Sequence, residues 1–104
     1  LRDIYPSYRA QILSAVQRHD LIVVNKRVGE FLDSYFDILF AVNRVPHPGV
    51  KRMLTIMENE CAKHPPQMRE QVTRLLTLAS SGSDEIITVV DELVDGLTTL
   101  LQVS

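Results

Sequence analysis

Several features are scarce in this chain of 104 residues, and each scarcity argues against a class of protein. Cys61 is the only cysteine, so no disulfide can form within the chain, and a reducing compartment suits it. No uninterrupted apolar run approaches the length of a membrane span, and no signal-peptide pattern opens the sequence. No segment alternates between apolar and polar residues, which argues against β-strands. We therefore expect a cytoplasmic protein that does not bind membranes.

Basic residues are absent from the end of the sequence. Residues 84–104 contain five acidic side chains and no Lys or Arg, whereas residues 1–83 contain 11 basic and 8 acidic side chains. An excess of three positive charges is too small to form a nucleic-acid surface, which needs basic residues clustered on one face. We therefore expect no nucleic-acid partner.

Helical spacing of apolar residues is what the sequence does contain. The composition, 45% hydrophobic and 23% charged, is that of a globular protein, and the length fits one domain, residues 1–104. Apolar residues recur at offsets of three and four, and proline or glycine breaks separate the helical segments. The sequence predicts an all-α, single-domain bundle of about five helices, with these approximate ranges: 7–18, 21–45, 48–62, 67–79 and 84 to beyond 100.

The second helix is expected to be the central one. Asp20 can cap its start, and the apolar stripe from Val24 to Val42 marks one buried face. Phe36, Ile38 and Phe40 add apolar surface elsewhere around its second half. That half should therefore be enclosed on nearly all sides.

Charged residues interrupt this apolar helix and follow its break. Asp33 and Asp37 lie four residues apart on one helical face, where like charges repel unless a cation neutralises them. In one interpretation Arg27, Lys51 or Arg52 neutralises them in an internal ion pair. In the other, the residues line a polar cleft, where the cations bind an anion such as phosphate and an aspartate binds a cationic or hydroxylated group.

Two further polar residues near the break allow similar alternatives. Asn43, close to the helix end, can satisfy free backbone carbonyls or contact a ligand. His47, between two prolines, can be a turn residue or a hydrogen-bonding group in a pocket. The sequence does not decide between these roles.

Motifs for metal binding and catalysis are weak. Cys61 and His64 have C-x-x-H spacing, but a metal site needs three or four ligands, and Cys61 fits better as a core residue in line with Met53 and Met57. Gly82-Ser83 is followed at a distance by an acidic pair, as in nucleotidyltransferases, but on a predicted helix instead of strands. We expect no catalytic or metal-binding residues in this chain.

The run from Phe31 to Arg52 resembles the helical C-terminal domain of a family of uncharacterised bacterial proteins that carry a nucleotidyltransferase-like domain in front. The similarity lies in Ser34-Tyr35-Phe36-Asp37, Phe40-Ala41, Asn43, His47-Pro48-Gly49 and Lys51-Arg52. Val50 stands where the family has a glutamate. The family domain is itself similar to the helical substrate-binding domain of aminoglycoside-type nucleotidyltransferases.

This resemblance implies a helical domain that walls a shared cleft and positions an acceptor. A preceding nucleotidyltransferase-like domain would bind the nucleoside triphosphate and magnesium, so no cofactor is expected here. The substrate-binding residues it implies are Asp37, Asn43, His47, Lys51 and Arg52, which would contact a small-molecule or phosphate-bearing ligand. It would also explain why the sequence begins at Leu1 instead of Met, as a piece of a longer chain.

An interaction or oligomerisation module without a small-molecule site is the alternative. The last helix repeats Ile86, Val90, Leu93, Leu97 and Leu100 at spacings of four and three, which would suit a homodimer. Packing within one chain uses the same spacing. The pattern therefore leaves both interpretations open.

Overall fold

The computed structural model describes residues 5–49 and 51–103, with the side chains of residues 5, 6 and 103 left out of the description. Five α-helices follow one another, and no strand occurs in the described ranges. The all-α prediction is confirmed. The helices are α1 (Tyr5–Gln17), α2 (Leu21–Asn43), α3 (Met53–Glu60), α4 (Met68–Ala79) and α5 (Glu85–Val103).

The longest helix, α2, lies at the centre, as its apolar pattern predicts. It packs most extensively on α1 and also contacts α4 and α5, while α5 packs on α4 and α1. Its 23 residues span about 35 Å and contribute a buried face. That face consists of Val24, Val28, Phe31, Leu32, Tyr35, Phe36, Leu39 and Phe40.

The apolar stripe of α5 faces the core of its own chain. Ile86, Val90, Leu93 and Leu97 are fully buried, and Leu100 packs against the same core. Burial of such side chains stabilises a fold by roughly 1.5–3 kcal/mol each. The spacing that would suit a homodimer is therefore used within the bundle.

Polar contacts fix the helix junctions. The Asp20 carboxylate accepts a hydrogen bond from the backbone N–H of Val23 at 3.3 Å, so the predicted cap of α2 is confirmed. Ser83 Oγ accepts one from the N–H of Glu85 at 3.2 Å, at the start of α5. Both contacts satisfy N–H groups that lack partners within the helix.

Arginines from neighbouring helices offset part of the acidic charge of α5. Arg9 on α1 lies 3.0 Å from Asp91. Arg74 on α4 lies 3.6 Å from Glu85 and 3.9 Å from Glu92. The acidic end of the sequence therefore packs beside basic residues of its body.

The expected range of the third helix, 48–62, is wrong at both ends. Gly49 and Arg52 have φ angles of 91° and 59°, in the left-handed region that interrupts a helix, and Cys61 is extended with φ −111°. The helix therefore keeps only eight residues. Met57 and Cys61 still lie in the core, as predicted.

No helix in the described part of the chain is both long enough and apolar enough to cross a membrane.

Candidate functional site

A groove of about 440 Å³ lies between α2, α3 and α4. Each helix contributes apolar side chains to it, and Leu32 and Phe36 of α2 are almost completely buried there. Leu76 of α4 follows the apolar spacing of its helix, but it is 51% exposed and lines the groove. The apolar lining consists of Leu32, Phe36, Met53, Leu54, Val72 and Leu76.

Charged side chains line the same groove from different helices. Asp33 comes from α2, Arg52 from the residue before α3, and Arg69 from α4. The polar-cleft interpretation required an aspartate near Arg52, and the structure places Asp33 and Arg52 around one cavity. Neither takes part in an ion pair within residues 5–49 and 51–103.

Arg69 joins two walls of the groove. Its guanidinium donates to Glu58 Oε1 on α3, with Nε–O and Nη2–O distances of 2.9 and 2.8 Å, and to Thr55 Oγ1 at 3.3 Å. Hydrogen bonding from Arg69 is the main cause that lowers the pKa of Glu58, and the same bond raises the pKa of Arg69. This bridge ties α4 to the short helix α3.

Gly29 leaves open space along the α2 wall. It lies within the helix and lines the groove, yet an added Cβ would meet no described atom within 4 Å other than its own neighbouring backbone. Glycine is poorly suited to a helix interior, because it loses more conformational freedom on folding than other residues. The packing of the chain therefore does not require glycine here.

Asp37 and His47 meet at the far end of α2. His47 Nε2 lies 3.6 Å from Asp37 Oδ1, and Nδ1 accepts a hydrogen bond from the Gly49 N–H at 3.0 Å. This bond places the ring proton on Nε2, toward the carboxylate. The His47 ring also packs against Phe40, with centroids 5.1 Å apart. Within the described residues, Asp37 forms no ion pair with Arg27, Lys51 or Arg52. The interpretation that one of these cations neutralises Asp37 is therefore wrong for those residues.

Asn43 fastens the end of α2 to the segment after α3. Its side-chain amide donates to the carbonyls of Leu39 at 2.8 Å and Lys63 at 2.7 Å, and its Oδ1 accepts from the Lys63 N–H at 2.9 Å. These bonds occupy both amide hydrogens and the oxygen. The structural role considered for Asn43 is therefore present in the fold.

The five residues implied by the resemblance are not gathered around one cavity. Arg52 lines the groove, Asp37 and His47 pair with each other, and Asn43 bonds to Lys63. Lys51 is exposed, and Val50 lies outside the described residues. Asp33 and Asp37 nevertheless lie one turn apart on the same face of α2, so the Asp37–His47 pair lies about one helical turn beyond a groove residue.

Metal-binding groups do not converge in the described part of the chain, where no cluster of three or more His, Cys, Asp or Glu residues occurs. Cys61 is 3% exposed, and burial is the main cause that raises the pKa of its thiol. His64 Nδ1 lies 3.1 Å from the carbonyl of Pro65. Cys61 therefore behaves as the core residue that its spacing predicts.

Sequence reasoning missed Gly29 and the bridge from Arg69 to Glu58. The two bridging residues are 11 positions apart and lie on different helices, so no helical spacing connects them. Gly29 carried one usable signal, because it interrupts a strong helical pattern without a turn.

Comparisons of the chain with protein-family models, with curated proteins and with solved structures find no match.

Proposed function

We propose that this chain is a non-catalytic helical domain that binds an acceptor molecule beside a nucleotidyltransferase-like domain. The observation that carries the proposal is the groove between α2, α3 and α4, where Asp33 and Arg52 lie around an apolar lining. A cavity of about 440 Å³ falls within the range of small-molecule sites. The nucleoside triphosphate and magnesium would bind to the preceding domain.

The groove offers both components that small-molecule recognition uses. Its apolar side chains supply the favourable burial, and a few charged groups set the orientation of the ligand. Arg52 can donate two parallel hydrogen bonds to a phosphate or carboxylate. Asp33 can accept hydrogen bonds from an amine or hydroxyl.

Asp37, His47 and Lys51 would serve at the edge of the same site. The Asp37–His47 pair is partly exposed, with 68% of the Asp37 side chain and 33% of the His47 side chain accessible. Such a polar, accessible edge suits contact with a neighbouring domain, since interfaces between domains are more polar than cores. An accessible polar edge beside the groove is what a binding domain would need if a neighbouring nucleotidyltransferase-like domain closed over the same ligand, as the resemblance implies.

A ligand titration followed by nuclear magnetic resonance tests the binding role. Nucleotides, aminoglycosides and inorganic phosphate are added in turn to the ¹⁵N-labelled chain. We expect amide shifts concentrated at residues 29–33 and 52–55. Arg52→Ala should weaken the response without unfolding the protein, because its side chain is exposed.

Arg18→Ala is a matched control, since Arg18 is also exposed but lies at the end of α1, where it donates to Ser14 Oγ. It should leave the titration unchanged. A folded wild-type chain that gives no localised shifts with any of these ligands would contradict the binding role.

The parent gene tests the link to nucleotidyltransferases. We expect the reading frame ahead of Leu1 to encode predicted strands with a Gly-Ser pair and two nearby aspartates. An unrelated domain in that place would contradict this part of the proposal and favour the interaction module.

A further inference from the structure

We infer that the groove between α2, α3 and α4 selects a small molecule with an apolar body and two charged groups, an ammonium and an anion. This inference rests on the proposed binding role of the groove and names the chemical class of its ligand. It follows from the charges, the lining and the open space of the cavity.

The charges favour a ligand that carries both signs. Within the described ranges Asp33 and Arg52 pair neither with each other nor with another side chain. They extend from different walls of one cavity, α2 and the start of α3. A simple anion would gain from Arg52 and be repelled by Asp33, and a simple cation would meet the reverse. A ligand with an ammonium and an anion complements both residues.

The third charged residue of the groove does not change this balance. Arg69 is already bonded to Glu58 at 2.8 Å and to Thr55 at 3.3 Å. The carboxylate of Glu58 offsets its charge. The residues left to define ligand charge are therefore one cation and one anion.

The lining between these charges requires an apolar ligand body. Leu76 is half-exposed on the α4 wall, and Met53 and Leu54 are partly buried on the α3 wall. Covering these side chains with an apolar group removes their surface from water, which is favourable. A purely polar zwitterion would leave that surface uncovered.

Gly29 provides the space for this body. Gly29 lines the groove, and a Cβ added there would meet no described atom within 4 Å outside the neighbouring backbone of α2. Asp33 lies one turn further along the same face of α2. A ligand whose ammonium contacts Asp33 can therefore place its apolar body beside the bare backbone at Gly29.

The bridge from Arg69 to Thr55 limits the size of the ligand. It joins the α3 and α4 walls within the lining of the cavity. Together with a volume of about 440 Å³, this favours a compact molecule over a helix or an extended peptide.

Four related probes test the inference on the full chain. L-phenylalanine carries an apolar body and both charges, 3-phenylpropionate lacks the ammonium, phenethylamine lacks the anion, and glycine lacks the apolar body. Binding is measured from the dependence of amide chemical shifts on probe concentration. We expect L-phenylalanine to bind at least about tenfold more tightly than each of the other three probes, because each of those lacks one charge-assisted contact or the apolar contact.

Single substitutions assign the two charges. Asp33→Asn should weaken L-phenylalanine binding about tenfold and leave 3-phenylpropionate unchanged or slightly improved. Arg52→Gln should weaken L-phenylalanine similarly and leave phenethylamine unchanged or slightly improved. Both side chains are exposed, so both variants should fold.

Gly29→Leu tests the position of the apolar body. Leucine is a much better helix former than glycine, so this variant should remain folded while its side chain fills the groove and abolishes binding. Gly29→Ala is the matched control, with only a methyl group added and most of the binding retained. A melting curve of each variant verifies that loss of binding does not come from unfolding.

The outcomes separate this inference from the proposed function. If 3-phenylpropionate or phenethylamine binds the groove as tightly as L-phenylalanine, the ligand class is wrong while the groove remains a binding site. If folded Gly29→Leu binds L-phenylalanine like the wild type, the inference is overturned. If no probe and no ligand of the wider titration shifts the groove amides, both proposals fail.

Discussion

The four long helices and the segment from Arg44 to Gln67 are stabilised in different ways. The interior of the bundle formed by α1, α2, α4 and α5 is apolar, and no polar or charged residue is fully buried among those described. The segment contains only two turns of helix; Met57 and Cys61 extend from it into the core, and polar bonds also join it to α2 and α4. These are the bonds of Asn43 to Lys63, of His47 to Asp37 and of Arg69 to Glu58.

This difference indicates which region contributes most to the free energy of unfolding and which region opens more easily. Apolar burial in the bundle involves many helices together, so it supports one cooperative unit. Contacts exposed to solvent stabilise less and break more easily. The proposed ligand groove lies where the two regions meet, with one wall from each long helix α2 and α4 and one from α3.

Truncation of the bundle core should have the largest effect. Leu93→Ala removes a fully buried side chain of α5 and should lower the free energy of unfolding by about 3 kcal/mol. Leu76→Ala is the matched control, because the same change at a half-exposed site should cost less than about 1 kcal/mol. Urea unfolding followed by circular dichroism measures both. Equal losses would contradict the contrast between core and groove.

Loss of the Asn43 side-chain hydrogen bonds should lower the free energy of unfolding less, and mainly around Lys63. Asn43→Ala deletes two hydrogen bonds to the Lys63 backbone and one to the Leu39 carbonyl, and should lower the free energy of unfolding by about 1–2 kcal/mol. Hydrogen exchange should rise at the Lys63 amide and in α3 before it rises in α5. Uniform acceleration in both regions would show that the segment is not a separate unit.

Tyr35 offers a test inside the bundle. Its hydroxyl is buried without a hydrogen-bond partner among the described residues, and burial raises its pKa above the normal range. Tyr35→Phe should increase the free energy of unfolding by about 1 kcal/mol, because the unpaired hydroxyl is removed and the packing on Phe36 is kept. Since only the unfolded tyrosine ionises readily, the gain should grow as pH rises above about 10. A destabilised variant would mean that the hydroxyl is satisfied.

The Glu58–Arg69 bridge should give the smallest effect. Its hydrogen bond lowers the pKa of Glu58 in the folded state, so the stabilisation is complete above the usual glutamate pKa of about 4.3 and is lost as pH falls through the lowered value. Melting temperatures of the wild type and Glu58→Gln should therefore differ slightly at pH 7, and the difference should shrink as the pH falls below the usual glutamate pKa of about 4.3. A difference that persists undiminished in acid would exclude the bridge as its cause.

The fold could be predicted from the sequence wherever apolar spacing governs the structure. The stripe from Val24 to Val42 and the repeat from Ile86 to Leu100 each predict one buried helical face. Both faces are found buried except at their last residues, Val42 and Leu100, which are partly buried. The third helix was too long in the prediction because Gly49 and Arg52 adopt left-handed backbone conformations. Arginine at such a position gives no sequence signal, since only glycine and a few polar residues commonly adopt it.

The candidate site was less accessible to sequence reasoning. Asp33 and Arg52 could be proposed as partners of one ligand because they flank the same break, and they do line one groove. The α4 wall could not be foreseen, since Leu76 follows the apolar spacing of its helix and yet remains half-exposed. Pairing of Asp37 with His47 depends on how the chain turns after α2, which spacing does not encode.

Cys61 gives the molecule a built-in reporter. It is the only cysteine in the sequence, it lies 3% exposed just after α3, and its raised pKa keeps the thiol protonated. A thiol reagent can reach it only when the segment around α3 opens, so the labelling rate measures how often that opening occurs. The unmodified protein can thus reveal, through a single absorbance trace, whether a bound ligand holds α3 in place.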